Sequence, residues 1–333
     1  MTGDTVSLAE IEAAGEILAG RLRETPLLRS ESLSEALSES GRADVHLKLE
    51  HQQITGSFKL RGAINAVRRL SEAQRANGVV GVSTGNHGRG LAYAAREAGV
   101  SCIICMSRLV PQNKVDGIKA QGAEVRIVGE SQDDAQIEAD RLVAEDGRTM
   151  LPPFDHPDVI AGQGTLGLEI LAQLPEAETL VVPLSGGGLI AGVARAAKSL
   201  KPDIRVVGVS MERGAAMIES QRAGKPVPVA ELPTLADALG GGIGLDNRYT
   251  FAMVRDLVDE LHLVSEERIA DAVAHAYWQE RQIIEGSGAV GIAALKAGLI
   301  EDPGTCVVVL SGGNIDMALH NRVIGGEAVD LPA

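Results

Sequence analysis

Aromatic side chains are nearly missing from this 333-residue chain, in which Phe, Trp and Tyr together make up 2%. Apolar residues still reach 45%. A core must therefore be built from Ala, Val, Ile and Leu, which suits helices packed on a buried parallel sheet. Cysteine is also scarce. Cys102, Cys105 and Cys306 make a poor disulfide framework, and no second Cys or His cluster completes the Cys102/Cys105 pair as a metal site. Both lie in the apolar run 100–106, which reads as a buried strand. There is no long basic run, and 31 Lys and Arg against 45 Asp and Glu leave a net charge of -14. Such a chain repels phosphate backbones and anionic membranes, which argues against nucleic acid and lipid as partners. The N-terminus lacks a basic start followed by an apolar core, and no apolar run approaches membrane-spanning length. A reducing, cytoplasmic location is the expectation.

Glycine, by contrast, is plentiful, with 39 residues, which implies many tight strand-to-helix turns. In so acidic a chain an anionic ligand must be held by local dipoles and backbone N–H groups. The length favours two lobes. Residues 1–24 carry a helical pattern, with Ser7 as cap, Glu10 three residues on, and Ile11, Ala14, Ile17, Leu18 and Leu22 at helical spacing. Thr25-Pro26-Leu27-Leu28 ends it, and a short helix near 32–37 leads to a strand at 45–50. Strand-like runs at 79–83, 101–106 and 124–128 then alternate with helical segments near 87–98, 112–120 and 132–145. Further strands near 179–184, 205–210 and 305–310 repeat the βαβ rhythm of a parallel sheet. Leu151-Pro152-Pro153-Phe154-Asp155-His156-Pro157 is too proline-rich for helix and reads as a crossing between lobes, where a cleft would hold a ligand.

Four stretches carry chemistry. Thr55-Gly56-Ser57-Phe58-Lys59 places one lysine at a turn between a strand-like and a helix-like run; it is either an ordinary surface charge or an amine desolvated enough to form a Schiff base. Ser83-Thr84-Gly85-Asn86-His87-Gly88 follows a strand and opens a helix, an arrangement that makes an anion cradle or a capped Asn/Gly turn. Here His87 reads as a capping or packing residue rather than a base. Ser185-Gly186-Gly187-Gly188-Leu189 sets three glycines at a strand-to-helix turn, a nest of donors suited to the phosphate of a small cofactor. It lacks the features of a P-loop or a dinucleotide fingerprint. Ser311-Gly312-Gly313-Asn314 repeats the pattern, with Ser311 placed either to meet a heterocycle nitrogen or to cap a helix.

Together these stretches resemble the β-family, or fold type II, of pyridoxal-phosphate enzymes, and within it the serine/threonine dehydratase group. The resemblance covers nearly the whole chain. It implies a two-lobed α/β fold like that of the tryptophan synthase β chain, with parallel twisted sheets and helices on both faces. The large domain would be 1–68 and 155–333, with a small domain, 79–150, inserted in it and pyridoxal 5'-phosphate in the cleft. Lys59 would hold the cofactor as a Schiff base and act as the base in catalysis. Phe58 would pack near the ring, Asn86 would meet its hydroxyl, Ser185, Gly186, Gly187, Gly188 and Leu189 would hold the phosphate, and Ser311 would face the pyridine nitrogen. A neutral hydroxyl there makes the ring a weaker electron sink and favours expulsion of a β-substituent. Ser83, Thr84, Gly85, Asn86 and His87 would receive a small β-hydroxy amino acid, with Thr84 a second catalytic candidate on the opposite face. A homodimer or homotetramer is implied.

The chain also departs from the group. A cation site found in many members would need an Asp where Ile218 stands, beside matching Glu212 and Ala216, so no metal is expected. No extended regulatory domain is expected after Asn314, which argues against allosteric control of the biosynthetic kind. Finer resemblance is to the hydroxyectoine-utilization dehydratase branch. It is carried by Met106-Ser107-Arg108-Leu109-Val110-Pro111, by the proline-rich crossing, by Met211-Glu212-Arg213-Gly214-Ala215-Ala216-Met217 and by Gly240-Gly241-Gly242-Ile243-Gly244-Leu245-Asp246-Asn247. The α-nitrogen of hydroxyectoine is locked in a cyclic amidine, so a ring-opened β-hydroxy amino acid is the better substrate. Threonine, serine and β-hydroxyaspartate, or racemisation of serine, are the alternatives. Arg108, Arg213, Asn247 and His156 are candidates for a polar substrate tail.

Overall fold

The computed structural model describes residues 5–38, 43–83, 85–108, 110, 112–130, 132–328 and 331. The chain opens with α1 (Leu8–Leu18), started by a reciprocal capping box between Ser7 and Glu10. The helix stops there, short of residue 24; residues 19–26 form a turn and irregular backbone, and a short strand follows. That strand is β1 (Leu27–Arg29), followed by α2 (Glu31–Ser38) and β2 (Ala43–Lys48). A 3-10 turn, Glu50–Gln52, leads to α3 (Lys59–Arg68). Next come α4 (Glu72–Asn77), β3 (Val79–Val82), α5 (Asn86–Ala98) and β4 (Cys102–Met106). They are followed by α6 (Gln112–Lys119), β5 (Glu124–Ile127), α7 (Gln132–Asp146) and β6 (Thr149–Met150).

The second half begins with α8 (Pro157–Gln173), β7 (Thr179–Pro183), α9 (Gly188–Leu200) and β8 (Arg205–Met211). After α10 (Ala216–Ala223) and a 3-10 turn at Asp237–Leu239 come α11 (Thr250–Leu257) and β9 (Glu260–Val264). The last elements are α12 (Glu266–Trp278), α13 (Gly286–Lys296), β10 (Gly304–Val309) and α14 (Met317–Ile324).

Two sheets result, one of six strands in the order β1-β2-β10-β7-β8-β9 and one of four in the order β5-β4-β3-β6. Every pairing is parallel except that of β1 with β2. The last strand in sequence, β10, sits inside the larger sheet between β2 and β7. Its run Cys306-Val307-Val308-Val309 is fully buried, as a central strand covered on both faces requires. Near-continuous aliphatic strands of this kind explain how the chain manages without aromatics. Small residues do the rest. A Cβ on Gly162 of α8 would stand 2.6 Å from the carbonyl oxygen of Arg61, and one on Gly192 of α9 would stand 2.4 Å from that of Ile160. These glycines let α3, α8 and α9 approach backbone to backbone.

A buried ionic cluster fixes α3 in place. Arg61 donates through Nε and Nη2 to the two carboxylate oxygens of Glu50, each at 2.8 Å. Glu169 of α8 lies 2.8 Å from Arg61 and 2.6 Å from Lys48. Two cations thus face two carboxylates, which meets the requirement that buried charge be paired. Because Arg61 is two residues beyond Lys59, the cluster anchors the turn that carries that lysine.

Candidate active site

The lysine loop and the last glycine turn are joined. Ser57 forms an isolated antiparallel bridge with Gly312, the Phe58 N–H donates to the Ser311 carbonyl at 3.1 Å, and the Gly313 N–H donates to that of Gly56 at 3.0 Å. Gly56 has φ +78°, and a Cβ there would stand 2.6 Å from Asn314 Oδ1, so the loop needs glycine on both counts. Lys59, the first residue of α3, then points into a cavity and donates from Nζ to the Pro153 carbonyl oxygen at 2.8 Å. The Phe58 ring lies beside it, with its centroid 5.2 Å from Nζ. The side chain is partly exposed to the cleft, with protein packed closely around its amine. Its pKa falls from 10.5 to about 8 through burial alone.

Opposite the lysine, α9 starts at the second glycine turn. Gly187 is its N-cap with φ +89°, and no side chain caps the helix. The first N–H groups of α9 therefore form an open positive end walled by glycine. Phe58, Lys59, Asn86, Ser185, Gly186, Gly187, Gly188, Leu189 and Ser311 line one cavity together, along with Glu285 and Ser287. Ser311 is buried, and its hydroxyl has only a long contact, 3.5 Å, to the Ser287 carbonyl. It remains free to serve another acceptor or donor.

The adjoining part of the cavity is lined by Ser83, Gly85, Asn86 and His87, with Lys59 again at the boundary. Thr84 lies outside the described residues. Ser83 Oγ accepts from the N–H groups of Gly85 at 3.2 Å and Gly88 at 2.9 Å, which shapes the start of α5. His87 is buried with Nε2 2.8 Å from the Leu151 carbonyl oxygen. Burial, and then the Lys59 charge, press its pKa to about 3, so the imidazole is neutral at working pH. Asn86 is held at both ends: Nδ2 donates to Glu285 Oε1 at 2.6 Å, and Oδ1 accepts from Asn314 Nδ2 at 2.6 Å.

Several wall residues carry weak signals in the sequence. Pro153 and Phe154 belong to the crossing segment, which predicts a cleft but names no side chain. Phe154 lies directly on the glycine turn, where a Cβ on Gly186 would stand 2.4 Å from its ring. Glu285 carries less signal still. It is a buried carboxyl just before α13 whose pKa rises to about 7 through burial, then through repulsion from Asp237. An isolated Glu before a Gly-Ser-Gly run looks like a helix start, and only the fold brings it to Asn86. Arg108, Arg213, Asn247 and His156 do not line the cavity. Asn247 and His156 are spent on local structure, at the start of α11 and as the N-cap of α8. Ile218 is buried among apolar neighbours, and no group of three or more potential metal ligands occurs among the described residues.

Fold and site define an α/β enzyme with a desolvated amine facing a glycine-walled anion cradle across a cleft. Residues 18–312 match the family described as pyridoxal-phosphate dependent enzymes, and the chain belongs to that family. A Sinorhizobium fredii protein, described provisionally as a threonine dehydratase, is 57% identical over 322 residues, covering 96% of each chain. The L-threonine ammonia-lyase of Thermotoga maritima is 41% identical, covering 96% of this chain and 78% of the relative. The structure of maize serine racemase superposes with a TM-score of 0.89 at 32% identity, over 96% of this chain and 97% of that one. The protein is thus a fold type II, pyridoxal-phosphate-dependent lyase of the threonine dehydratase group. The cavity fits this cofactor: it offers a desolvated amine, an uncapped helix end and a nearly free buried hydroxyl. Among the described residues no helix is long and apolar enough to cross a membrane.

Proposed function

We propose that this protein removes water from a small β-hydroxy amino acid and releases an oxo acid and ammonia. The observation that carries the reading is Lys59 Nζ, desolvated to a pKa near 8 and aimed into the cleft opposite the uncapped end of α9. Lys59, Phe58, Asn86, Ser311 and the turn 185–189 hold pyridoxal phosphate. When bound, that group supplies an electron sink for the charge left at the α-carbon. Lys59 Nζ takes the α-proton, while Ser83, Gly85, Asn86 and His87 line the part of the cavity that receives the substrate carboxylate. Ser311, neutral at the far side of the cavity, holds no fixed negative charge there, which favours loss of the β-hydroxyl over a persistent carbanion.

Within this class, the reading extends to a ring-opened hydroxyectoine derivative with a free α-amine. Two stretches of the finer resemblance supply cavity wall, through Pro153, Phe154, Gly240 and Gly241. A third supplies Met217, which backs Gly187. Threonine and serine are the simpler substrates within the same chemistry. The two-lobed division, 1–68 with 155–333 and 79–150, is supported by the pairing of β3, β4, β5 and β6 only among themselves. Three buried free thiols suit a reducing cytoplasm.

The test is ammonia release from the holoenzyme across threonine, serine, β-hydroxyaspartate, ring-opened hydroxyectoine compounds and intact hydroxyectoine. Release from free β-hydroxy amino acids, with none from the intact ring, is the expected pattern. Turnover of the intact ring alone would sink the substrate reading, and no release from any compound would sink the elimination.

A further inference from the structure

We infer that Glu285 is a catalytic residue, the acid that gives a proton to the hydroxyl leaving the β-carbon. This rests on the elimination proposed above. Hydroxide leaves poorly, so the step needs a proton donor inside the cavity in addition to the base at the α-carbon.

The wall offers few donors. Lys59 starts the step as the base and holds a proton to give only after it has taken the one on the α-carbon. His87 is neutral and its Nε2 faces the Leu151 carbonyl at 2.8 Å. Arg89 does not release its proton, and Lys114 is paired with Asp237. Of the carboxyls in the wall, Glu231 and Asp237 are exposed and Glu285 is buried.

Glu285 is also built into place. It lines both halves of the cavity, the half beside Ser83 and His87 and the half that holds the glycine cradle. The carboxylate reaches there because Gly312 has no side chain; a Cβ at that position would stand 2.5 Å from Oε1. Asn86 Nδ2 fixes the same oxygen at 2.6 Å. No Lys, Arg or His nitrogen lies within ion-pair distance of it among the described residues. The charged groups that bear on it are Asp237, which raises its proton affinity, and Lys114 and Arg89, which lower it. A carboxyl titrating near neutrality in such a place is suited to proton transfer at working pH.

The step balances without a further reactant. The α-C–H electrons form the Cα–Cβ double bond and the proton goes to Lys59 Nζ. The Cβ–O bond breaks with its electron pair on oxygen, which takes the Glu285 proton and departs as water. One proton then returns from Lys59 to Glu285 through solvent in the cleft, and both groups are reset.

The experiment compares water and chloride elimination by holoenzyme carrying Glu285→Gln or Glu285→Asp, using serine and β-chloroalanine and following ammonia release. Chloride needs no proton to leave. Glu285→Gln is expected to slow the serine reaction by about 10²–10⁴-fold, the usual contribution of a positioned acid, and the chloroalanine reaction by less than about tenfold. Glu285→Asp should recover part of the serine rate. Infrared difference spectra of wild type against Glu285→Gln, taken without substrate, should show a protonated carboxyl band that fades as pH rises through neutrality. Equal loss on both substrates, no loss on serine, or absence of that band would each overturn the inference while leaving the elimination reading intact. A wild type that eliminates neither substrate would remove that reading, and the inference with it.

Discussion

Lys59 Nζ and the carbonyl oxygen of Pro153 lie 2.8 Å apart, so the amine that opens α3 is held by the segment leading from β6 into α8. The proline-rich crossing thereby does more than connect two sheets. Its carbonyl accepts from the Lys59 amine, and its Phe154 ring covers the glycine turn.

Replacing the amine should abolish the chemistry without unfolding the chain. Lys59→Ala removes one partly exposed side chain at the cavity boundary and leaves the Glu50–Arg61 pair intact. We expect ammonia release to fall about a thousandfold or more, since covalent capture and base catalysis are lost together. Wild type loaded with the cofactor is expected to absorb at the edge of the visible through the lysine-linked cofactor, and the variant should lack that band. A thermal melt within a few degrees of wild type would show that the loss is chemical.

Capture of the cofactor should depend on pH through this same lysine. Only the neutral amine attacks an aldehyde, and burial sets its pKa at about 8. The rate of cofactor binding to the apoprotein is expected to rise about tenfold per pH unit below 8 and to level off above it. The sign for stability follows from the same shift. The folded pKa lies below the 10.5 of a free lysine, so the unfolded chain binds more protons between these values. The contribution of Lys59 to apoprotein stability therefore improves as pH rises from about 8 to 10.5. Stopped-flow binding and urea titrations at several pH values measure the two effects.

Gly187→Ala tests the cradle. The residue has φ +89°, and a Cβ would stand 2.9 Å from Met217 Cε and 3.0 Å from Thr250 Cβ. Strain of about 1–2 kcal/mol is expected from the backbone alone, and the helix end that meets the phosphate would shift. Cofactor affinity should drop by about tenfold or more, read by equilibrium dialysis, with a smaller change in substrate KM at saturating cofactor.

The ionic cluster under α3 should behave as a buried pair. Arg61→Ala would leave Glu50 and Glu169 without their shared cation, at a cost of about 3–5 kcal/mol. Arg61→Lys should restore only part of this, because an ammonium cannot match the two 2.8 Å bonds that Nε and Nη2 make to Glu50. Urea midpoints give the ranking.

How far the sequence foretold these features follows from the reach of local pattern. Strands such as Val79–Val82 and Cys102–Met106 are legible because central parallel strands are apolar on both faces. The strands β1, β6 and β9 are not. β1 and β6 are three and two residues long, and β9 is an edge strand whose Glu260 and His262 break the apolar run. The glycine turns and Lys59 can be read because each is contiguous. Glu285 and Phe154 cannot, since their roles depend on distant partners: 199 residues separate Glu285 from Asn86. Lys48 and Glu50 look like the polar residues of an alternating strand, and only the fold shows both fully buried.

The most direct measurement is the site of cofactor attachment. Borohydride reduction of the holoenzyme, followed by proteolysis and mass spectrometry, should place a pyridoxyl group on the peptide carrying Lys59 and on no other lysine. A pyridoxyl group found elsewhere, or none on Lys59 at full occupancy, would contradict the assignment of this cleft as the reactive centre.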